Sequence, residues 1–141
     1  MKPTRLMFAA VAAAVLAACA GNPDAPAGET FAAQLAPSAG VTSSGTGMGE
    51  FTLDPATKAL SYTVTYSGTT GPGMAAHIHG PADPGGNAPP VVPFATATSP
   101  ITGTATLTDA QIADLRAGRW YVNIHTAAHR GGEIRGQITA K

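Results

Sequence analysis

Short runs in which apolar and polar residues alternate constrain the fold of this chain more than any other feature. The clearest run spans residues 58–66, where every second side chain is apolar: Leu60, Tyr62, Val64 and Tyr66. A period of two sends alternate side chains to opposite faces of a β-strand. Because Ser and Thr fill the intervening positions, the run predicts an antiparallel strand with one buried and one solvated face.

The same pattern recurs along the chain between clusters of Gly and Pro. Further strands are predicted at residues 30–36, 49–53, 74–79, 91–95, 101–107, 120–126 and 133–139, with 41–47 as a loop or weak strand. The 17 Gly and 12 Pro residues supply the turns that so many short strands need. An all-β protein is therefore expected.

One helix interrupts the strands. Thr108 followed by Gln111 forms a capping box, which marks a helix N-terminus. Ile112 and Leu115 lie on one face, and Gly118 provides the stop. Seven or eight antiparallel strands with one short helix in about 110 residues predict an immunoglobulin-like sandwich or a Greek-key barrel.

The N-terminal segment has the pattern of an export signal. Lys2 and Arg5 precede an apolar run over residues 6–18, which is short for a membrane span. The run ends in Leu16-Ala17-Ala18-Cys19, which resembles the lipobox of bacterial lipoproteins. This resemblance implies a signal peptide at 1–18, a lipidated Cys19 opening a flexible tether at 19–28, and a domain at 29–141. The alternative is an ordinary signal peptide in which the single Cys is incidental.

Lipidation at Cys19 would place the protein in the cell envelope, anchored to a membrane. The next residue is Ala20 rather than Asp, which in a Gram-negative host favours the outer membrane, facing the periplasm. The expected partners are that membrane and an envelope protein or glycan. Eight basic and eight acidic residues give no net charge, so nucleic acid is not an expected partner.

Two motifs together resemble those of the CHRD domain family. One is AHIHGPA at residues 76–82; the other is LRAGRWYVNIHTAAH at 115–129, followed by GEIRGQI at 132–138. The resemblance covers residues 30–139, with Arg130 where the family has Pro. It implies an immunoglobulin-like or barrel-like β domain and no enzymatic activity to carry over. By analogy only, the fold and the His-x-His strand are similar to copper/zinc superoxide dismutase.

The histidines are the candidate metal ligands. His77 and His79 lie two apart on one strand and so share a face, and by the same parity His125 faces outward from another strand. If the two strands are neighbours, three imidazoles could bind copper or zinc. His129 would be a fourth donor, and Asn123 could orient a ligand by a hydrogen bond.

A structural interpretation of the same residues stays open. The histidines could instead hydrogen-bond to backbone carbonyls and hold the loop at 83–90 and the turn at 130–132. Glu133 and Arg135 are expected to be a solvated or loop-clamping pair.

Catalytic residues are not expected. The chain has no Gly-x-Ser-x-Gly motif, and lipidation would consume Cys19. The first functional hypothesis is therefore a non-catalytic binding or structural module of the envelope, and the second is a copper- or zinc-binding protein. A redox enzyme is a third, weakened because a dismutase-type site needs more than the four histidines present.

Overall fold

The runs of alternating apolar and polar residues form β-strands over most of the domain. The computed structural model describes residues 27–141, so the predictions for the signal peptide, Cys19 and most of the tether concern residues outside the described part. Within residues 27–141, no helix has the length and apolar character needed to cross a membrane. The elements in chain order are β1 (Glu29–Pro37), β2 (Thr46–Asp54), β3 (Ala59–Ser67), β4 (Gly73–His79), β5 (Pro90–Pro93), β6 (Ile101–Thr106), α1 (Asp109–Arg116), β7 (Trp120–Thr126) and β8 (Ile134–Ala140).

The eight strands form one antiparallel sheet in the order β5-β4-β7-β8-β1-β2-β3-β6. The sheet curls into a nearly closed barrel. The all-β prediction with one short helix is confirmed, and of the two predicted architectures the barrel is the one present.

The gap between the edge strands β5 and β6 is bridged by side chains from the segment that joins them. Phe94 packs on Tyr62, with ring centroids 4.6 Å apart. The Tyr66 hydroxyl donates to the Ala97 carbonyl over 2.5 Å, and the Ser99 hydroxyl accepts from the Tyr66 amide over 3.0 Å. These contacts join β3 to the segment beyond β5 without a ladder of backbone hydrogen bonds.

The barrel interior takes the apolar set of each alternating strand. On β3 the Leu60 and Val64 side chains are fully buried, and on β7 the same is true of Trp120, Val122 and Ile124. Burial of this apolar surface is the main favourable contribution to folding. The predicted parity of both strands is therefore confirmed.

Strand β2 is longer than its apolar pattern indicates. It begins at Thr46, because Thr46 and Gly47 pair with Ser67 and Tyr66 of β3. The length of the partner strand decides this boundary, which Ser, Thr and Gly residues alone do not mark.

Helix α1 has the predicted capping box. The Thr108 hydroxyl accepts from the Gln111 amide over 3.2 Å, and the Gln111 side chain accepts from the Thr108 amide over 2.9 Å. Ile112 and Leu115 are buried against the barrel, which supplies the packing that so short a helix requires.

Candidate metal centre

The pairing of β4 with β7 brings the three candidate histidines together. In the antiparallel register His77 lies opposite Asn123, His79 opposite Tyr121, and Ala75 opposite His125. The inward positions of both strands are apolar, so the three imidazoles share the outer face of the barrel wall. The condition set by the sequence, that the two strands be neighbours, is met.

The three rings form a compact triangle. Their centroids lie 5.2 Å apart for His77 and His125, 5.4 Å for His77 and His79, and 5.7 Å for His79 and His125. One potential ligand atom from each ring lies within 4.8 Å of the other two, and this group could hold a metal ion. His77 Nδ1 and His125 Nε2 are 3.3 Å apart, which is hydrogen-bond distance. Metal–nitrogen bonds of about 2.0–2.1 Å place imidazole nitrogens about 3.3–3.6 Å apart, so this pair already has the spacing of two ligands of one ion.

Backbone carbonyls fix which ring nitrogen is available. His79 Nδ1 lies 2.8 Å from the Ala88 carbonyl oxygen, and His125 Nδ1 lies 2.8 Å from that of Arg130. A carbonyl only accepts, so each Nδ1 must donate a proton and each neutral ring keeps a lone pair on Nε2. This is the arrangement in which outer hydrogen bonds orient imidazole ligands.

His79 has the most unusual environment of the three. The side chain is only 8% exposed, and its Nε2 is buried with no hydrogen-bond partner among residues 27–141. A buried acceptor left unpaired costs about 1–3 kcal/mol. A metal ion bound by the three rings would occupy this lone pair, so the residues present suit a metal.

The surroundings of His77 and His79 favour the neutral form of these two rings. Burial lowers the pKa of His77, and repulsion from His125 and His79 lowers it further. Burial also lowers the pKa of His79; the bond to Ala88 opposes this, while repulsion from His125 and Arg135 adds to it. Both imidazoles therefore favour the neutral state that coordinates an ion.

The long loop after β4 is held against the histidine face by Tyr121 and Arg135. The Tyr121 ring stacks on His79 with centroids 5.1 Å apart, and its hydroxyl accepts from the Ala88 amide over 3.1 Å. The Arg135 guanidinium lies 3.7 Å from the Tyr121 ring centroid and donates to the Gly86 carbonyl and the Asn87 side chain. Arg135 therefore clamps the loop, as one of the two predicted roles requires.

The turn that carries the Arg130 carbonyl is held by Asn123. The Asn123 side chain is 5% exposed and donates to the Gly131 carbonyl over 3.2 Å. Gly132 has φ +116° and lies so close that a Cβ there would overlap the Asn123 amide. Asn123 thus supports the carbonyl that orients His125, rather than bonding to the ring.

Glu133 is buried, not solvated, and is not paired with Arg135. Its carboxylate has no exposed surface and accepts hydrogen bonds from the Ser43, Thr70 and Thr126 hydroxyls and from the Thr70 amide. Burial raises its pKa, but these four bonds outweigh that effect and lower the pKa to about 2. The carboxylate ties together two loops and the end of β7.

His129 lies apart from the other three histidines. Its backbone closes a turn with Thr126, with amide–carbonyl distances of 3.2 and 3.3 Å. Its side chain does not join the group of His77, His79 and His125. The structure thus brings together three of the four predicted donors.

Several contributors to the site were not singled out from sequence. Tyr121 is one aromatic residue of an alternating strand, and Ser43, Thr70 and Thr126 carry no signal because hydroxyl residues are common in β proteins. A cavity of about 300 Å³ beside His77 and His125 was also not anticipated.

Comparison with known proteins gives one match. The family model of the CHRD domain matches residues 31–138. Searches of curated proteins and of solved structures found no match.

Proposed function

The chain belongs to the CHRD domain family, and from that premise we propose that it binds one copper or zinc ion through His77, His79 and His125, without catalysing a reaction. The group of three histidines on the outer face of the barrel supports this proposal. Neutral imidazole suits copper and zinc, and the two backbone carbonyls leave the lone pair of His79 and of His125 on Nε2.

The observation that carries this proposal is the unpaired Nε2 of His79. The atom is buried among two other imidazoles, and a carbonyl already occupies the opposite nitrogen of its ring. If the histidines served only to hold loops, the bond from Nδ1 would suffice, and nothing would require the His79 ring to lie 5.4 and 5.7 Å from the centroids of two further imidazoles.

Metal content measured after loading tests the proposal. The full chain, purified without a His-tag, would be incubated with Cu²⁺ or Zn²⁺ separately, dialysed and analysed by mass spectrometry for metal. We expect about one ion per chain, and none in a His77→Ala/His79→Ala variant whose circular dichroism matches the wild type.

His129→Ala is the matched control, because His129 lies outside the triangle. This variant is expected to retain the ion. Absence of retained metal in the wild type would refute the proposal, and loss in His129→Ala would show that the site uses a fourth histidine.

We further propose that the domain is tethered to the cell envelope through a lipid on Cys19, in a Gram-negative host at the outer membrane facing the periplasm. The lipobox-like residues 16–19 support this. Intact-mass spectrometry of the protein from its host membranes should give a chain that begins at an acylated Cys19. An unmodified Cys19 in the mature chain would refute it.

A second candidate is binding of a glycan by the same face of the barrel, favoured by a polar cavity of about 290 Å³ that Asn123 and Arg135 help to line. Asn123 Oδ1 and the Ser38 hydroxyl are two buried polar atoms of the cavity lining, and neither has a hydrogen-bond partner in the described part of the chain. A sugar hydroxyl both donates and accepts, so it suits an unpaired amide oxygen beside a guanidinium. NMR titration with hexoses and N-acetylhexosamines should shift the Asn123 and Ser38 signals in the wild type, and the Asn123 signal should stay unshifted in Ser38→Ala. Unchanged signals at millimolar sugar would exclude this candidate.

A further inference from the structure

The pairing of β4 with β7 contains an irregularity beside the three histidines. Gly73 pairs with Thr126 and Ala75 pairs with His125. Between these two pairs β4 therefore contains one residue more than β7. Met74 is the extra residue of this β-bulge. Bulges of this kind turn a side chain away from the direction that strict alternation would give it.

The bulge places the Met74 side chain on the outer face of the barrel instead of the inner face. Counting by twos from Ala76 and Ile78, which are buried, would point Met74 into the barrel. Instead Met74 is 62% exposed and lines the cavity of about 300 Å³ together with His77 and His125. The Met74 thioether therefore lines the same cavity as two of the imidazoles.

A thioether on that cavity adds a soft donor to three nitrogens. Sulfur ligands of this type select cuprous copper, whereas zinc is bound by imidazole, thiolate and carboxylate. Methionine is unbranched, with three rotatable side-chain bonds, so its sulfur can swing across an open cavity toward the rings. An exposed position leaves this motion free.

We propose that Met74 is the fourth ligand of the site and makes it selective for Cu⁺ over Zn²⁺. This inference rests on the proposed function, because it takes the three histidines as ligands. The open cavity admits the ion from solvent, and the sulfur closes over it.

Competition titrations on the full chain test the inference. All variants would carry Cys19→Ser, which removes the only thiol and with it a competing cuprous ligand. A chromogenic Cu⁺ chelator, used anaerobically with ascorbate, gives the cuprous affinity, and a fluorescent Zn²⁺ chelator gives the zinc affinity. Met74→Leu keeps the size of the side chain and removes the sulfur.

Met48→Leu is the matched control, since Met48 is also exposed but lies on β2 and lines a different cavity. We expect Met74→Leu to weaken Cu⁺ binding about tenfold or more, with Zn²⁺ affinity unchanged, and Met48→Leu to change neither. X-ray absorption of the Cu⁺ form should detect a sulfur neighbour in the parent and not in Met74→Leu.

Each other outcome has a separate meaning. Equal Cu⁺ affinity in the parent and Met74→Leu would overturn the role of Met74 and leave the three-histidine site standing. Equal losses of Cu⁺ and Zn²⁺ affinity would also overturn it, because Met74 would then support the site only as an apolar side chain. Failure of the parent to bind either ion would refute the proposed function itself.

Discussion

At the scale of single residues, the histidine face depends on side chains that do two things at once. His79 and His125 each use Nδ1 for a backbone carbonyl and leave Nε2 beside the other rings. Peptide groups therefore set the orientation of both rings, and no bound ion is needed to hold the rings in place. Two further residues, Gly132 and Glu133, hold the turn that carries the Arg130 carbonyl.

Replacement of Gly132 by Ala should damage the turn. The residue has φ +116°, and an added Cβ would overlap the Asn123 amide, so we expect a loss of about 2 kcal/mol or more in the free energy of unfolding. Gly131→Ala is the adjacent control, because a Cβ there meets no atom within 4 Å. Urea unfolding of both variants measures the difference, and equal stabilities would contradict the assigned strain.

Replacement of Glu133 by Gln should weaken the hydrogen-bond network that joins two loops to β7. The amide cannot accept all four donated bonds, so we expect a loss of about 1–3 kcal/mol at neutral pH. Glu50→Gln, which alters an exposed carboxylate beside Lys141, should change nothing measurable. Urea unfolding at neutral pH is the measurement.

The pH dependence of that loss has a defined sign. The carboxyl has a pKa of about 2 in the folded chain against 4.5 in the unfolded one, so its contribution is present above pH 4.5 and declines toward pH 2. The gap between wild type and Glu133→Gln should close over this range. A gap that stayed constant would contradict the assignment.

At the scale of elements, β7 is buried on both faces. Trp120, Val122 and Ile124 fill the interior, while Tyr121 and Asn123 are covered on the outside by the loop at 83–90 and the turn at 130–132. Alternation predicted the bounds of β7 and the direction of each of its side chains. It did not predict that the outer face would be covered, because the covering segments lack regular patterns.

The candidate site could likewise be predicted from the sequence only where it depends on regular alternation. His77, His79 and His125 follow from parity plus one condition, the pairing of β4 with β7, which only the folded sheet can supply. The bulge at Met74 has no counterpart in the sequence pattern, since strict alternation would place this side chain inside. The burial of Glu133 cannot be predicted from the sequence, because three of its four hydrogen bonds come from Ser43 and Thr70, which lie far away along the chain.

Removal of the Tyr121 hydroxyl should loosen the loop without disturbing the barrel. In Tyr121→Phe the ring can still stack on His79, but the Ala88 amide loses its acceptor. We expect faster hydrogen exchange at Ala88 and unchanged exchange in β8, measured by NMR. Unchanged protection at Ala88 would show that Arg135 and His79 hold the loop unaided.

At the scale of the whole molecule, the histidine face links stability to pH. The pKa values of His77 and His79 lie below 6.5 in the folded chain, so the unfolded chain binds more protons as the solution is acidified. Stability from these groups is therefore complete above pH 6.5 and declines below it. This window lies above that of Glu133, which begins at pH 4.5.

Thermal unfolding as a function of pH checks this linkage. The melting temperature of the metal-free wild type should fall between about pH 7 and 5, and that of His77→Ala/His79→Ala should fall less. Saturating Zn²⁺ should raise the melting temperature by roughly 10 °C at pH 7, with a smaller effect at pH 5 because protons compete for the rings. Equal pH profiles for the two proteins would contradict the lowered pKa values.

The position of β1 in the sheet has a mechanical consequence. The first strand lies between β2 and β8, and the Lys141 amide donates to the Thr30 carbonyl, so the first and last strands of the barrel are neighbours. A force applied to the chain ahead of Glu29 therefore acts on β1, which is hydrogen-bonded to a strand on each side. The hydrogen bonds of both pairings must then break together, in shear. An edge strand would instead peel away one bond at a time, so this barrel is suited to bear load from its N-terminal end.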